Sequence, residues 1–224
     1  NDTTDEGSIS SKVTFTSDIT GLSKNTTYYI RTYAINSVDT SYGSEVSFTT
    51  ASSESAMELV FDIADGDAVS LPLSDNSGTG VYVTIDWDDG NTEIHGSNTS
   101  AEHTYNSSGQ YTVKIYGTLG QFGNGSADWN GGSNLIEVID FGDLGLKSLS
   151  GAFHKAHNLT SVPKSLPSTI IDLGHAFYDI NQETITNLES WDVSSVRDME
   201  SMFSWSESFN QDISNWDVGQ VKDM

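Results

Sequence analysis

The side chains that could do chemistry fall in a few places. Asp86, Asp88, Asp89 and Asn91 crowd one short stretch, D-W-D-D-G-N, and offer hard oxygen ligands of the kind Ca²⁺ takes. The order is not the D-x-D-x-D-G of a calcium loop, and no glutamate stands at the twelfth place to close one. Two readings stay open: a calcium site, or a turn shaped by Asp89 with the other carboxylates in solvent. His154 and His157 are three apart, close enough on one helical turn to share a metal. No third ligand accompanies them, and they are read as surface polarity. His103 is read as a structural histidine. The glycine-rich stretches 120–126 and 130–133 read as loops, and neither G-x-G-x-x-G nor G-x-x-x-x-G-K-[ST] occurs to cradle a phosphate.

Other catalytic signatures are missing. There is no G-x-S-x-G elbow, no H-E-x-x-H helix and no kinase set. The chain has no cysteine, which removes disulfides, zinc–thiolate sites and thiol nucleophiles. Paired glycosidase carboxylates can lie far apart in sequence, but small β modules and repeats leave no evident domain to carry them. The chain is therefore read as non-enzymatic, with no catalytic residue, no metal and no cofactor assigned.

Bulk charge narrows the partners. Nine Lys and Arg stand against 32 Asp and Glu, a net charge of −23 over 224 residues. That balance argues against nucleic acid, which attracts proteins through basic side chains, and against anionic membranes. It suits solubility in salty extracellular surroundings. No apolar run approaches the ~20 residues of a membrane helix. Twenty glycines against three prolines fit a β-rich, turn-rich globular chain. It begins at Asn1 with neither an initiating Met nor a secretion signal, so it is read as a processed chain or a fragment. Six Asn-x-Ser/Thr sequons, at Asn1, Asn25, Asn98, Asn106, Asn124 and Asn158, are expected by chance in so Asn- and Ser-rich a chain.

The elements that would position these residues announce themselves by periodicity. Trp191-Asp192-Val193 returns as Trp216-Asp217-Val218, 25 residues on, and Val196 and Met199 return as Val221 and Met224. Leu149/Phe153, Leu173/Phe177 and Met199/Phe203 follow at steps of 24 and 26, and Leu135/Val138 and Leu159/Val162 at 24. A fixed period of this size marks stacked supersecondary units, each burying its apolar face on its neighbours. Phe153, Phe177 and Phe203 hold the same place in each unit and are assigned to the core. Trp191 and Trp216 also share a register and should occupy one layer. Trp205 stands outside that register, so it is the one candidate for ligand contact. Trp129 should pack where the repeats join the preceding module.

The repeat wording, FNQDISNWDV and DMESMF, resembles the bacterial surface proteins of the BspA leucine-rich-repeat type. Phe209, Asn210, Gln211, Asp212, Ile213, Trp216, Asp217, Val218, Val221 and Met224 match its phrase, with Val193, Val196, Met199, Met202 and Phe203 in the unit before. The match covers about the last 40 residues. It is looser over 134–188, where PKSLPS stands and Trp-Asp-Val is absent. Upstream, IDWDDGN…HTYNSSGQYTVKI resembles a PKD (polycystic-kidney-disease) domain, on Ile85, Trp87, Asp89, Gly90, His103, Thr104, Tyr105, Gly109, Tyr111, Val113 and Ile115. Asp88 stands where that family usually has Gly. Strands are expected over 57–63, 69–73, 81–87 and 111–116, with Asp89-Gly90-Asn91 as a tight turn. TGLSKNTTYYIRTYAIN and SYGSEVSFTT resemble the second half of a fibronectin type III domain, with Leu22 to Tyr28 spaced as in a tyrosine corner. No Arg-Gly-Asp occurs, so that module is read as a spacer.

The resulting expectation is a mainly β chain: two small β-sandwich modules followed by a leucine-rich-repeat solenoid. The first (1–51) is a partial fibronectin type III module, the second (56–118) is PKD-like, and the repeats occupy 119–224, with residues 51–55 as linker. The resemblance implies an extracellular protein at the bacterial cell surface, whose solenoid serves adhesion to an extracellular protein or polysaccharide. The alternatives are an accessory region of a secreted polysaccharide- or protein-degrading enzyme, or cargo of an outer-membrane (type IX) secretion machinery. Met224 falls within a repeat, and further repeats are expected after it.

Overall fold

The computed structural model describes residue 22 and residues 26–49, 55–75 and 78–224. Most of the fibronectin type III-like stretch before residue 26, the sequons at Asn1 and Asn25, and linker residues 51–54 lie outside the described residues. The chain forms two compact units, Asn1–Ser53 and Glu54–Met224. The fold is mainly β, and among the described residues there is no α-helix.

In the first unit β1 (Thr27–Ile30) pairs antiparallel with β4 (Val46–Thr49), and β2 (Tyr33–Ile35) with β3 (Thr40–Tyr42). Ile30 faces Val46 and Tyr33 faces Tyr42, so two residues on one side oppose three on the other, a bulge in one long ribbon. Its tip is an Asx turn: the Asn36 side-chain oxygen accepts from the N–H groups of Val38 (2.8 Å) and Asp39 (3.0 Å). Aromatic and β-branched residues zip the ribbon. Tyr28 stacks on Phe48 at 6.0 Å, and the Arg31 guanidinium lies 4.0 Å over the Tyr42 ring.

The second unit is built on a five-stranded antiparallel sheet. Its strands are β5 (Met57–Ile63), β8 (Val81–Asp86), β9 (Thr92–His95), β11 (Gly109–Leu119) and β13 (Leu135–Phe141), in the order β13-β5-β11-β8-β9. Alternation decides which faces are buried. Met57, Leu59, Phe61 and Ile63 point into the core, as do Val83, Ile85, Val113 and Ile115. Two short pairs, β6 (Ala68–Leu71) with β10 (Ala101–Thr104) and β7 (Leu73–Ser74) with β12 (Gln121–Phe122), pack on the same core. Pro72 separates β6 from β7, where a proline cannot donate to a ladder.

From β13 onward the chain runs in passes joined by single parallel bridges. One ladder links Gln121, Ser148, Asp172, Asp198 and Asp223, and a second links Glu137, Ser161 and Thr186. Backbone bonds carry the same steps: the N–H groups of Leu149, Leu173 and Met199 donate to the carbonyls of Asp172, Asp198 and Asp223 at 2.9–3.0 Å. Amide side chains reinforce them. Asn158, Asn187 and Asn215 each donate to a carbonyl one pass earlier, at 2.7, 3.0 and 2.8 Å. Inside, Phe153, Phe177 and Phe203 stack at 5.0 and 5.6 Å. Trp191 lies 5.7 Å from Phe177, and Trp216 lies 6.3 Å from Phe203, so the two tryptophans hold equivalent places.

Two readings change on folding. Gln121 and Phe122, expected in a loop, form β12 and are buried; Gln121 is the first rung of the ladder. Gly123 permits this, with φ at 127° and its Cα so close to the Ser150 carbonyl that a Cβ would collide with it. Leu135 and Val138, aligned as repeat positions, also belong to β13, which pairs with β5 on one side while Glu137 bridges Ser161 on the other. The edge of the sheet is thereby covered by the first pass. Trp129 packs there, 6.3 Å from Phe61 and 5.9 Å from Phe122, with its indole N–H donating to Ala152 O at 3.2 Å.

Candidate functional site

The D-W-D-D-G-N stretch closes the β8–β9 hairpin, and its carboxylates are spent on the backbone. Asp86 accepts from the N–H of Asp88 (3.0 Å), Asp88 from that of Thr112 (2.8 Å), and Asp89 from that of Asn91 (3.0 Å). Asp88 (φ 63°) and Gly90 (φ 92°) are both left-handed, a conformation Asp and Gly tolerate best. Beneath the turn the His103 ring stacks on Trp87 at 4.8 Å, meets Tyr105 edge-on at 4.8 Å, and donates from Nε2 to Asp89 at 2.8 Å. The buried Tyr105 hydroxyl donates to Trp87 O at 3.1 Å. Burial works against the Asp89 carboxylate, but the hydrogen bonds from His103 and Asn91 outweigh it and hold its pKa below the usual range. Burial, reinforced by the charges of Asp89 and Asp88, pushes the Tyr105 phenol well up. The arrangement fixes a hairpin. Among the described residues no group of three or more His, Asp or Glu side chains is placed to hold a metal ion.

His154 is not surface polarity. It is 4% exposed, packed against the tilted Tyr178 ring at 4.6 Å, with Nε2 3.2 Å from Asp128. Asp128 also takes a 2.7 Å hydrogen bond from Lys155, which lowers its pKa. Burial pushes the His154 pKa down against the pull of Asp128. His154 is drawn inward because it follows Phe153 on a tight turn whose next pass supplies Tyr178 as a lid. His157 points instead to Asp179, at 3.8 Å.

Trp205 is 67% exposed. It has φ of 65°, and Lys155 and Asp179, the residues at its register in the two preceding passes, have φ of 56° and 53°. Left-handed backbone costs a bulky residue about 1–2 kcal/mol. Here the conformation belongs to the turn of every pass, since the N–H groups of Lys155 and Asp179 each donate to the next pass, at 2.9 and 2.8 Å. The result is an indole held outward on a hydrogen-bonded turn.

A further surface was legible only by aligning the passes. Lys147, Ile171, Arg197 and Lys222 follow one another in a single column, the N–H groups of Ile171, Arg197 and Lys222 each donating to the carbonyl of the member before at 2.8–2.9 Å. All four are exposed.

No curated protein and no solved structure matches the chain. Residues 147–224, the segment that carries these passes, match a family model described as Mycoplasma protein of unknown function, DUF285.

Proposed function

We propose that the protein is a non-enzymatic, secreted or surface-exposed bacterial binding protein. Residues 119–224 form a leucine-rich-repeat solenoid. It is carried on a PKD-like sandwich, with a fibronectin type III-like spacer before it. The ladder of parallel bridges at steps of 24 to 27 residues, with Leu, Met and Phe inside each pass, supports the solenoid. Its long side offers rows of equivalent outward positions, the surface such folds use to take an extended partner. The family match falls on the same residues that carry the repeat wording.

Trp205 carries the binding role. A large aromatic side chain exposed to solvent offers area to a partner, with only two side-chain torsions to order, and such residues anchor interfaces. The partner is an extracellular protein or polysaccharide. The test is binding of the intact chain to purified extracellular-matrix proteins and to neutral polysaccharides, with Trp205→Ala beside the wild type. Affinity should fall about tenfold, or about 1.4 kcal/mol. Unchanged binding by a Trp205→Ala variant of native stability removes Trp205 from the site.

A further inference from the structure

The second unit holds six basic residues in a chain of net charge −23: Lys114, Lys147, Lys155, Lys164, Arg197 and Lys222. Two are neutralised, Lys114 by Glu58 at 3.3 Å and Lys155 by Asp128 at 2.7 Å. Three of the other four stand in one column, where Lys147, Arg197 and Lys222 form no ion pair with any described residue. Neighbouring rungs of a ladder lie about 4.8 Å apart. Arg197 and Lys222 are therefore adjacent, and Lys147 sits about two rungs away across Ile171.

Like charges on adjacent strands destabilise a sheet. Of the carboxylates one residue further along, Asp172 and Asp198 are engaged by hydrogen bonds, and neither they nor Asp223 comes within 4.0 Å of a cation of the column. Asp172 accepts from the Gly174 N–H at 2.9 Å and from the Ser148 hydroxyl at 2.8 Å, and Asp198 accepts from the Glu200 N–H at 2.8 Å. A cationic row that forms no ion pair among the described residues, on so acidic a protein, is specific to that face. It cannot come from general basicity.

A groove of 390 Å³ opens at the Lys147 end. Lys147, Ile171, Asp172, Ser74, Asn124 and Ser150 line it, with the Asp172 carboxylate engaged by the Ser148 hydroxyl and the Gly174 N–H. Hydroxyl and carboxamide groups both donate and accept, as the hydroxyls of a sugar do. The column supplies charge for carboxylate or sulfate, and Ile171 between the cations offers an apolar contact for a ring face.

We propose that the Lys147–Ile171–Arg197–Lys222 column, with the groove at its Lys147 end, binds a linear polysaccharide carrying carboxylate or sulfate groups. This rests on the reading of residues 119–224 as a binding solenoid and names a ligand class for it. Nucleic acid fits less well, because neither the column nor the groove has an aromatic ring for a base to stack on, and the groove offers hydroxyl partners instead. The charge row also gives the contact a salt dependence that an aromatic contact lacks.

The test is affinity electrophoresis and calorimetry of the intact chain with polygalacturonate and heparin, against dextran, polyglutamate and duplex DNA, at low and physiological salt. Polygalacturonate or heparin should bind, more weakly as salt rises. The Lys147→Ala/Arg197→Ala/Lys222→Ala variant should bind at least about tenfold more weakly, since charge-assisted hydrogen bonds are the strong ones. Lys147→Arg/Lys222→Arg should bind as the wild type does. The three side chains are exposed, so an unchanged urea midpoint shows that the variant folds. Undiminished binding by the triple variant overturns the proposal, and so does equal binding of polyglutamate or DNA. Binding of dextran or matrix proteins alone overturns it and leaves the broader binding reading standing. Binding to no extracellular protein or polysaccharide removes both.

Discussion

Phe177→Ala is the sharpest test of how the second unit is held together. The ring is fully buried and lies between Phe153 at 5.0 Å and Phe203 at 5.6 Å, with Trp191 at 5.7 Å on a third side. Truncating a buried phenylalanine costs about 3–5 kcal/mol, counting both lost transfer energy and the cavity left behind. Each aromatic pair lost adds about 0.5–1.5 kcal/mol beyond area alone. The neighbours here are held by backbone bonds on both sides, Phe153 to Ala176 and Phe177 to Met202 at 2.9 Å each, so collapse into the cavity is restricted. The expected loss is therefore at the upper end, about 5 kcal/mol, a large part of the ~5–15 kcal/mol a domain has. Phe203 is half-buried, and Phe203→Ala should cost about half as much. The assay is urea unfolding by circular dichroism, with hydrogen exchange to locate the loss. Protection should fall first over the passes from Leu149 to Met202. A cost under ~1 kcal/mol for Phe177→Ala, or one equal to that of Phe203→Ala, would refute a continuous ring stack as the core of the passes.

Two further outcomes follow from buried polar groups. Tyr105→Phe removes the hydroxyl that bonds Trp87 O and leaves that carbonyl unpaired in the core, so urea unfolding should show a loss of about 1–2 kcal/mol; a neutral result would mean that the carbonyl finds another donor. His154 has a folded pKa below the ordinary value of about 6.5, so the fold holds the neutral ring. Its contribution is fully present above about 6.5 and is lost as pH falls through the lower folded value. The thermal midpoint should accordingly drop less on acidification to about pH 5 in His154→Gln than in the wild type, and equal drops would refute the assignment.

Much of the local structure was legible in the residues. Alternating β-branched and aromatic runs place β5, β8 and β11, because strand periodicity is a short-range property of neighbouring side chains. Asp89-Gly90-Asn91 marks its turn for a similarly local reason: only a few residue types accept left-handed backbone or cap an exposed amide. The repeat period was legible too, since Phe153, Phe177 and Phe203 recur at the same point and reach the same layer.

The rest depended on which passes became neighbours. Nothing within β13 says that it pairs with β5 by one edge and takes the first repeat on the other, because its Leu135 and Val138 satisfy both patterns. His154 reads as polar surface until Tyr178 of the next pass covers it. The row of Lys147, Arg197 and Lys222 exists only because residues some 25 apart in the chain are stacked by the ladder. The strands β5, β8 and β11, the turn at Asp89–Asn91 and the period could be read from the residues alone, since those follow from backbone preferences and nearby side chains, whereas β12 could not. Burial of His154 and the shared charge of the column were decided by tertiary contact, since both depend on distances through space between residues the chain keeps far apart.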